Sequence, residues 1–208
     1  MRKQMTWVLV VVGLGLGLAW AQGKPADKKQ AAPAPAKKAA KPPDMTAKQS
    51  PEMAKLARMM VGTWSVDEKF EAVPEMGPEA QAGTGKGTDV IKAGPAGNSL
   101  IADFKSSSSM GAFTGHGVMW WDAKAGAYRS VWCDSEGPSG CDAGAVGKWE
   151  SNDLVFTADA EMPGPKGAMK MKMRQVYSEL KPASFTFYID SSINGGAMKR
   201  MMTLKYKK

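Results

Sequence analysis

The chain has 208 residues, a formal net charge of +8, one histidine and two cysteines. A single histidine excludes a His–Cys zinc site, a multi-histidine metal centre and a Ser–His–Asp triad with an imidazole to spare, so neither a metal site nor a catalytic set is expected. Residues 51–208 carry 19 basic and 18 acidic side chains, which leaves the charge excess in the first 50 residues and disfavours a folded domain that binds nucleic acid.

Arg2 and Lys3 precede an almost wholly apolar run from Met5 to Leu18, and Ala19-Trp20-Ala21 places small residues at the −3 and −1 positions of a cleavage site. This pattern predicts a cleavable export signal over 1–21, a mature protein beginning at Gln22, and a periplasmic or extracellular location. No Cys follows Ala21, as a lipoprotein signal would require. A retained anchor needs roughly 20 apolar residues; this run is shorter and broken by Gly13, Gly15 and Gly17, so no membrane span is expected after cleavage. Residues 22–50 hold seven Lys, five Pro and no aromatic residue, and nothing in them repays the entropy of ordering. They read as a disordered Lys/Ala/Pro-rich linker, either a plain spacer or a weak contact to anionic envelope polymers and lipid head groups.

Ser50-Pro51-Glu52 is a helix start, with a Ser cap, Pro in the first turn and an acid beside it. Met53, Leu56 and Met60 give that helix a short apolar face before Gly62 ends it. From Trp64 the period becomes 2, with Trp64, Val66 and Phe70 alternating with Ser65, Asp67, Lys69 and Glu71. Further strands are predicted near 85–93, 98–106, 112–122, 127–134, 140–149, 154–161, 168–178, 184–191 and 198–207, separated by Gly, Pro, Asn and Asp turns. Connections this short require antiparallel neighbours. Residues 51–208 are therefore expected to form one all-β domain, an antiparallel up-and-down barrel of about ten strands preceded by a short helix. A flattened sandwich is the alternative.

Met59-Met60-Val61-Gly62-Thr63-Trp64, the strand carrying Gly115-His116-Gly117 and Trp120-Trp121-Asp122, and the terminal Met198-Lys199-Arg200-Met201-Met202 resemble the bacterial domain-of-unknown-function family 1579, grouped with calycin-like barrels. Gly62-Thr63-Trp64 also resembles the barrel-opening signature of lipocalins. The resemblance runs from Pro51 to Lys207 and implies a barrel with a lumen, but no reaction. The wider calycin group mostly binds small apolar ligands, and a branch similar to nitrobindin binds haem through a His. In lipocalins an Arg of the last strand packs over the opening Trp, an arrangement that Arg200 over Trp64 would resemble.

Alternation assigns the lumen-facing side chains. Met169, Met171, Met173, Gln175 and Tyr177 share a face; so do Phe185, Phe187 and Ile189, and so do Leu154, Phe156 and Ala158. Met198, Arg200, Met202, Leu204 and Tyr206 share a face of the last strand. Glu68 and Arg200 then fall on apolar faces, where an unpaired charge is costly. First and last strands meet on closure, so Glu68 and Arg200 are expected either to pair in a latch with Trp64 or to hold a ligand's polar end. The candidate ligand-binding residues are Glu68, Phe70, Met169, Met171, Met173, Phe187, Arg200 and Met202. Three Met sulfurs on one strand face stand about 7 Å apart, too spread for one soft metal ion, so they read as lumen lining.

His116 has two readings, a hydrogen-bonded barrel or surface residue and an axial haem ligand that Gly115 and Gly117 would let a flat macrocycle approach. Its direction stays open, because Val118 and Trp120 on one face are as apolar as Met119 and Trp121 on the other. Cys133 and Cys141, flanking a Gly/Pro-rich turn, are expected to form a structural disulfide between hairpin strands. Gly83-Thr84-Gly85-Lys86-Gly87-Thr88 departs from a phosphate loop at Ala80 and Gly87 and reads as a Gly-rich strand start. Three functions follow: a carrier or sensor barrel for a small apolar molecule, a haem-binding redox barrel using His116, or a non-catalytic envelope structural module filled by its own side chains.

Overall fold

A computed structural model describes residues 47–208 apart from positions 79, 138, 139, 143, 165 and 166 and the side chain at 163. The expected export signal and residues 22–46 of the linker lie outside the described residues. Among the described residues no helix is long and apolar enough to cross a membrane.

Helix α1 (Pro51–Met60) begins as its sequence dictates. The Ser50 hydroxyl accepts from the Met53 amide at 3.2 Å, Pro51 occupies the first turn, and Met53, Leu56 and Met60 are buried. Just before it, Gln49 donates to the Gly97 carbonyl and the Ser50 amide donates to Asn98. Ten antiparallel strands follow: β1 (Gly62–Phe70), β2 (Gly83–Ala93), β3 (Ser99–Ser108), β4 (Gly111–Asp122), β5 (Ala127–Asp134), β6 (Ala145–Glu150), β7 (Asp153–Gly164), β8 (Gly167–Lys181), β9 (Ser184–Ile193) and β10 (Lys199–Lys207). Each pairs with its sequence neighbours, and β10 closes on β1 with Ser65 opposite Lys207 and Phe70 opposite Met202. The fold is thus a closed up-and-down barrel, which leaves no sheet edge.

Every connection after an odd-numbered strand lies at one end of the barrel, and every connection after an even-numbered strand at the other. The second end is closed. Met53, Leu56 and Met60 of α1 enter the same core as Trp64, Tyr128, Leu154, Phe156, Phe185 and Tyr206. Trp64 is fully buried, meets the Phe185 ring edge-on at 4.8 Å and donates from Nε1 to the Met60 carbonyl at 2.8 Å, so it ties strand to helix. Trp149 donates to the Tyr128 hydroxyl at 3.2 Å, and Lys55 lies 3.6 Å over the Trp149 ring.

The other end is built differently. β6 is short and pairs with β5 only from Tyr128 to Ser130, so the last residues of β5 lack a full partner strand. The segment between them takes that place. Its Asp142 amide donates to the Trp132 carbonyl at 2.8 Å, Asp142 Oδ1 accepts from the Trp132 amide, and a Cys133–Cys141 disulfide pins it to the wall.

Candidate functional site: the barrel lumen

The barrel encloses a cavity of about 460 Å3 that extends from Met60 at the end of α1 to Met110 and Glu136 at the far rim. Its wall follows from strand alternation. On β1 the buried positions are Trp64, Val66 and Glu68, with Phe70 half-buried at the rim. On β2 the same face carries Gly83, Gly85 and Gly87 before Asp89 and Ile91. These glycines leave space that neighbouring side chains occupy: a Cβ on Gly85 would sit 2.1 Å from Glu68 Oε2, and one on Gly87 would sit 3.0 Å from the Phe104 ring. The Gly-rich stretch is therefore an inward-facing strand segment over which the Glu68 carboxylate lies.

Glu68 and Asp89 are 5% and 3% exposed. Glu68 Oε2 and Asp89 Oδ1 have no hydrogen-bond partner among the described residues. Burial raises the Glu68 carboxyl above its ordinary pKa, with Ser106 as an opposing hydrogen-bonding neighbour. Burial pushes Asp89 up to about 6, against a lowering contribution from the Tyr206 hydroxyl. Tyr206 and Tyr177 are in turn raised, first by burial and then by the Asp89 charge. Two carboxylates and two phenols thus share the lumen. Among the described residues no group of three or more His, Cys, Asp or Glu is arranged to hold a metal ion.

Of the residues expected in the lumen, Glu68, Phe70, Met173, Phe187 and Met202 line the cavity. Met169 and Met171 are buried on the same face of β8 but lie toward the β7–β8 hairpin, away from the cavity lining. Arg200 is elsewhere. Between Arg200 and Met202 the β10–β9 register shifts by one residue, so Met201 forms a bulge and Arg200 turns to the outer surface. There it pairs with Asp190 and stacks 3.6 Å from the Tyr188 ring centroid. The expected Arg200–Glu68 pair and the Arg200–Trp64 latch are therefore both absent.

A lysine occupies the latch position. Lys208 Nζ lies 4.5 Å from the Trp64 ring centroid and donates to the Val61 carbonyl at 3.0 Å. It crosses Gly62, where φ is +150° and a Cβ would stand 2.6 Å from Lys208 Cε. The Gly of Gly62-Thr63-Trp64 thus admits the cation that covers the Trp.

His116 also faces outward. It is half-exposed and its Nδ1 stands 2.8 Å from Asp103 Oδ1 on β3. The flanking glycines face the lumen, where a Cβ on Gly115 or Gly117 would meet the Trp132 ring at 2.0 and 2.9 Å. The space expected for a macrocycle is filled by an indole. The reading of His116 as a haem ligand approached over its flanking glycines is corrected accordingly, because alternation sends His116 to the side opposite them.

Asp89 escaped the sequence reading. The test that singled out Glu68, a charge on an apolar face, would have caught it beside Ile91 had glycines not emptied that face of hydrophobic signal. Trp132 and the rim carboxylates of Asp134, Glu136 and Asp142 also line the cavity. They depend on how the β5–β6 connection folds, and no local pattern marks that.

The fold and the cavity define a closed antiparallel β-barrel with a single described lumen, consistent with a calycin-like barrel. The chain belongs to the family described as Protein of unknown function (DUF1579), whose model matches residues 48–208. No curated protein matches the sequence.

Proposed function

We propose that the barrel binds a small, largely apolar molecule in its lumen, as a carrier or sensor rather than an enzyme. The observation that carries the reading is the cavity of about 460 Å3, walled by Phe70, Phe104, Phe113, Trp132 and Phe187 together with several Met side chains. Ligand sites are typically concave spaces of roughly 300–1,000 Å3, mostly apolar with a few convergent polar groups. A structural module filled by its own side chains would leave no such space. Export to an oxidising compartment belongs to the same proposal; the Cys133–Cys141 disulfide supports it, since such bonds persist in secreted and periplasmic proteins.

The test is titration with the neutral fluorophore N-phenyl-1-naphthylamine. Saturable binding of one probe per chain is expected, weakened at least about tenfold in Ala102→Phe, which adds a ring to the lumen wall. A folded wild-type protein that leaves the probe emission unchanged would overturn the reading.

A further inference from the structure

The charges of the lumen all have one sign. The cavity is lined by the carboxylates of Glu68, Asp89, Asp134, Glu136 and Asp142, and by no Lys, Arg or His among the described residues. The rim acids are partly occupied: Asp134 Oδ1 accepts from the Glu136 and Gly137 amides, and Asp142 Oδ1 from the Trp132 and Gly144 amides. The two deep ones have hydrogen-bonding neighbours in Ser106 and Tyr206 on one oxygen only. Each has an oxygen that is buried and unpartnered. A buried carboxylate without a counter-charge is costly, and the cost vanishes when a cation or a strong donor enters beside it.

We infer that the lumen is selective for ligands carrying a protonated amine on a compact apolar body, the ammonium drawn to the deep carboxylates of Glu68 and Asp89 and the body against the aromatic wall. This rests on the proposal that the lumen binds ligands at all. Glu68 and Asp89 stand on the inward faces of the paired strands β1 and β2, and both line the cavity. An ammonium at either carboxylate donates to its free oxygen, and nearby rings add cation–π attraction. A carboxylate-headed ligand such as a fatty acid would meet like charge at the same place, with no basic side chain in the cavity lining to offset it.

Three ligands of one body separate the head-group chemistry: 2-(1-naphthyl)ethylamine, 2-(1-naphthyl)ethanol and 1-naphthaleneacetate, titrated calorimetrically at pH 7.5. The amine is expected to bind at least about tenfold more tightly than the alcohol, with the carboxylate weakest. In Glu68→Gln/Asp89→Asn the preference for the amine over the alcohol should collapse to about twofold or less. Asp103→Asn, which removes a carboxylate from the outer surface, should retain it. Equal binding of amine and alcohol to the wild type, or tightest binding of the carboxylate, overturns the amine selectivity and leaves the apolar-ligand reading standing. Failure of all three together with the neutral fluorophore overturns both. Retention of the amine preference in a double variant with native circular dichroism would overturn the assignment to Glu68 and Asp89.

Discussion

The two ends of the barrel are closed differently. At the helix-capped end the indoles are partnered: Trp64 donates to Met60 and Trp149 to Tyr128, while Lys208 donates to Val61 above the Trp64 ring. Toward the other end β6 is short and the buried Glu68 carboxylate keeps an unpartnered oxygen, and Asp89, opposite Trp64, carries a second one to the level of the closed core. Trp64 and Asp89 face each other across β1 and β2, so a residue that closes the barrel and a carboxylate with an unmet oxygen stand at the same level.

The largest expected effect breaks the closed end. Trp64→Ala removes a fully buried ring that contacts Phe185 and Tyr206, and should cost about 3–5 kcal/mol, read from the denaturant midpoint. A loss under about 1 kcal/mol would show that α1 and Trp64 do not anchor the core.

The next change should have the opposite sign. Asp89 ionises near pH 6 in the fold against an ordinary value of 3.8, so its contribution is fully present below about pH 4 and is lost as pH rises through 6. The Tyr206 hydroxyl acts on it by a hydrogen bond and Asp103, on the neighbouring strand, by its charge, and Tyr177 and Tyr206 in turn feel the Asp89 charge. Asp89→Asn keeps the Tyr206 contact and cannot ionise. It should therefore stabilise the ligand-free protein at pH 7.5 by up to about 3 kcal/mol, and by nothing at pH 3.5. Destabilisation at neutral pH would mean that the carboxylate has a partner within the fold.

Replacing Cys133 and Cys141 with Ser should cost about 2–3 kcal/mol and quicken probe release, because the disulfide holds the segment that completes the wall beside β5. The smallest effect is expected on the outside. His116→Ala breaks a half-exposed pair with Asp103 and should change stability by less than about 1 kcal/mol and leave probe affinity unaltered. A large loss of probe binding would return His116 to the site.

Most of the architecture was legible because alternation and turn residues are local signals. The capped helix, the ten strands, the antiparallel closure and the disulfide all follow from patterns a few residues long. Arg200 was misplaced because a one-residue bulge at Met201 reverses the face of everything before it, and a bulge leaves hydropathy almost unchanged. His116 was undecidable from its apolar neighbours, whereas its glycines held the answer through Trp132, which lies 16 residues after it in the chain. Asp89 stayed hidden because the glycines on its face remove the apolar residues by which an inward face is recognised.

The most direct measurement is an amide chemical-shift titration of the isotope-labelled protein with 2-(1-naphthyl)ethylamine. The expected perturbations centre on β1 around Glu68, β2 around Gly85 to Asp89 and β10 around Tyr206, with α1 little affected. Shifts confined to the outer surface, or to the rim around Asp134 and Asp142, would contradict a ligand site within the barrel.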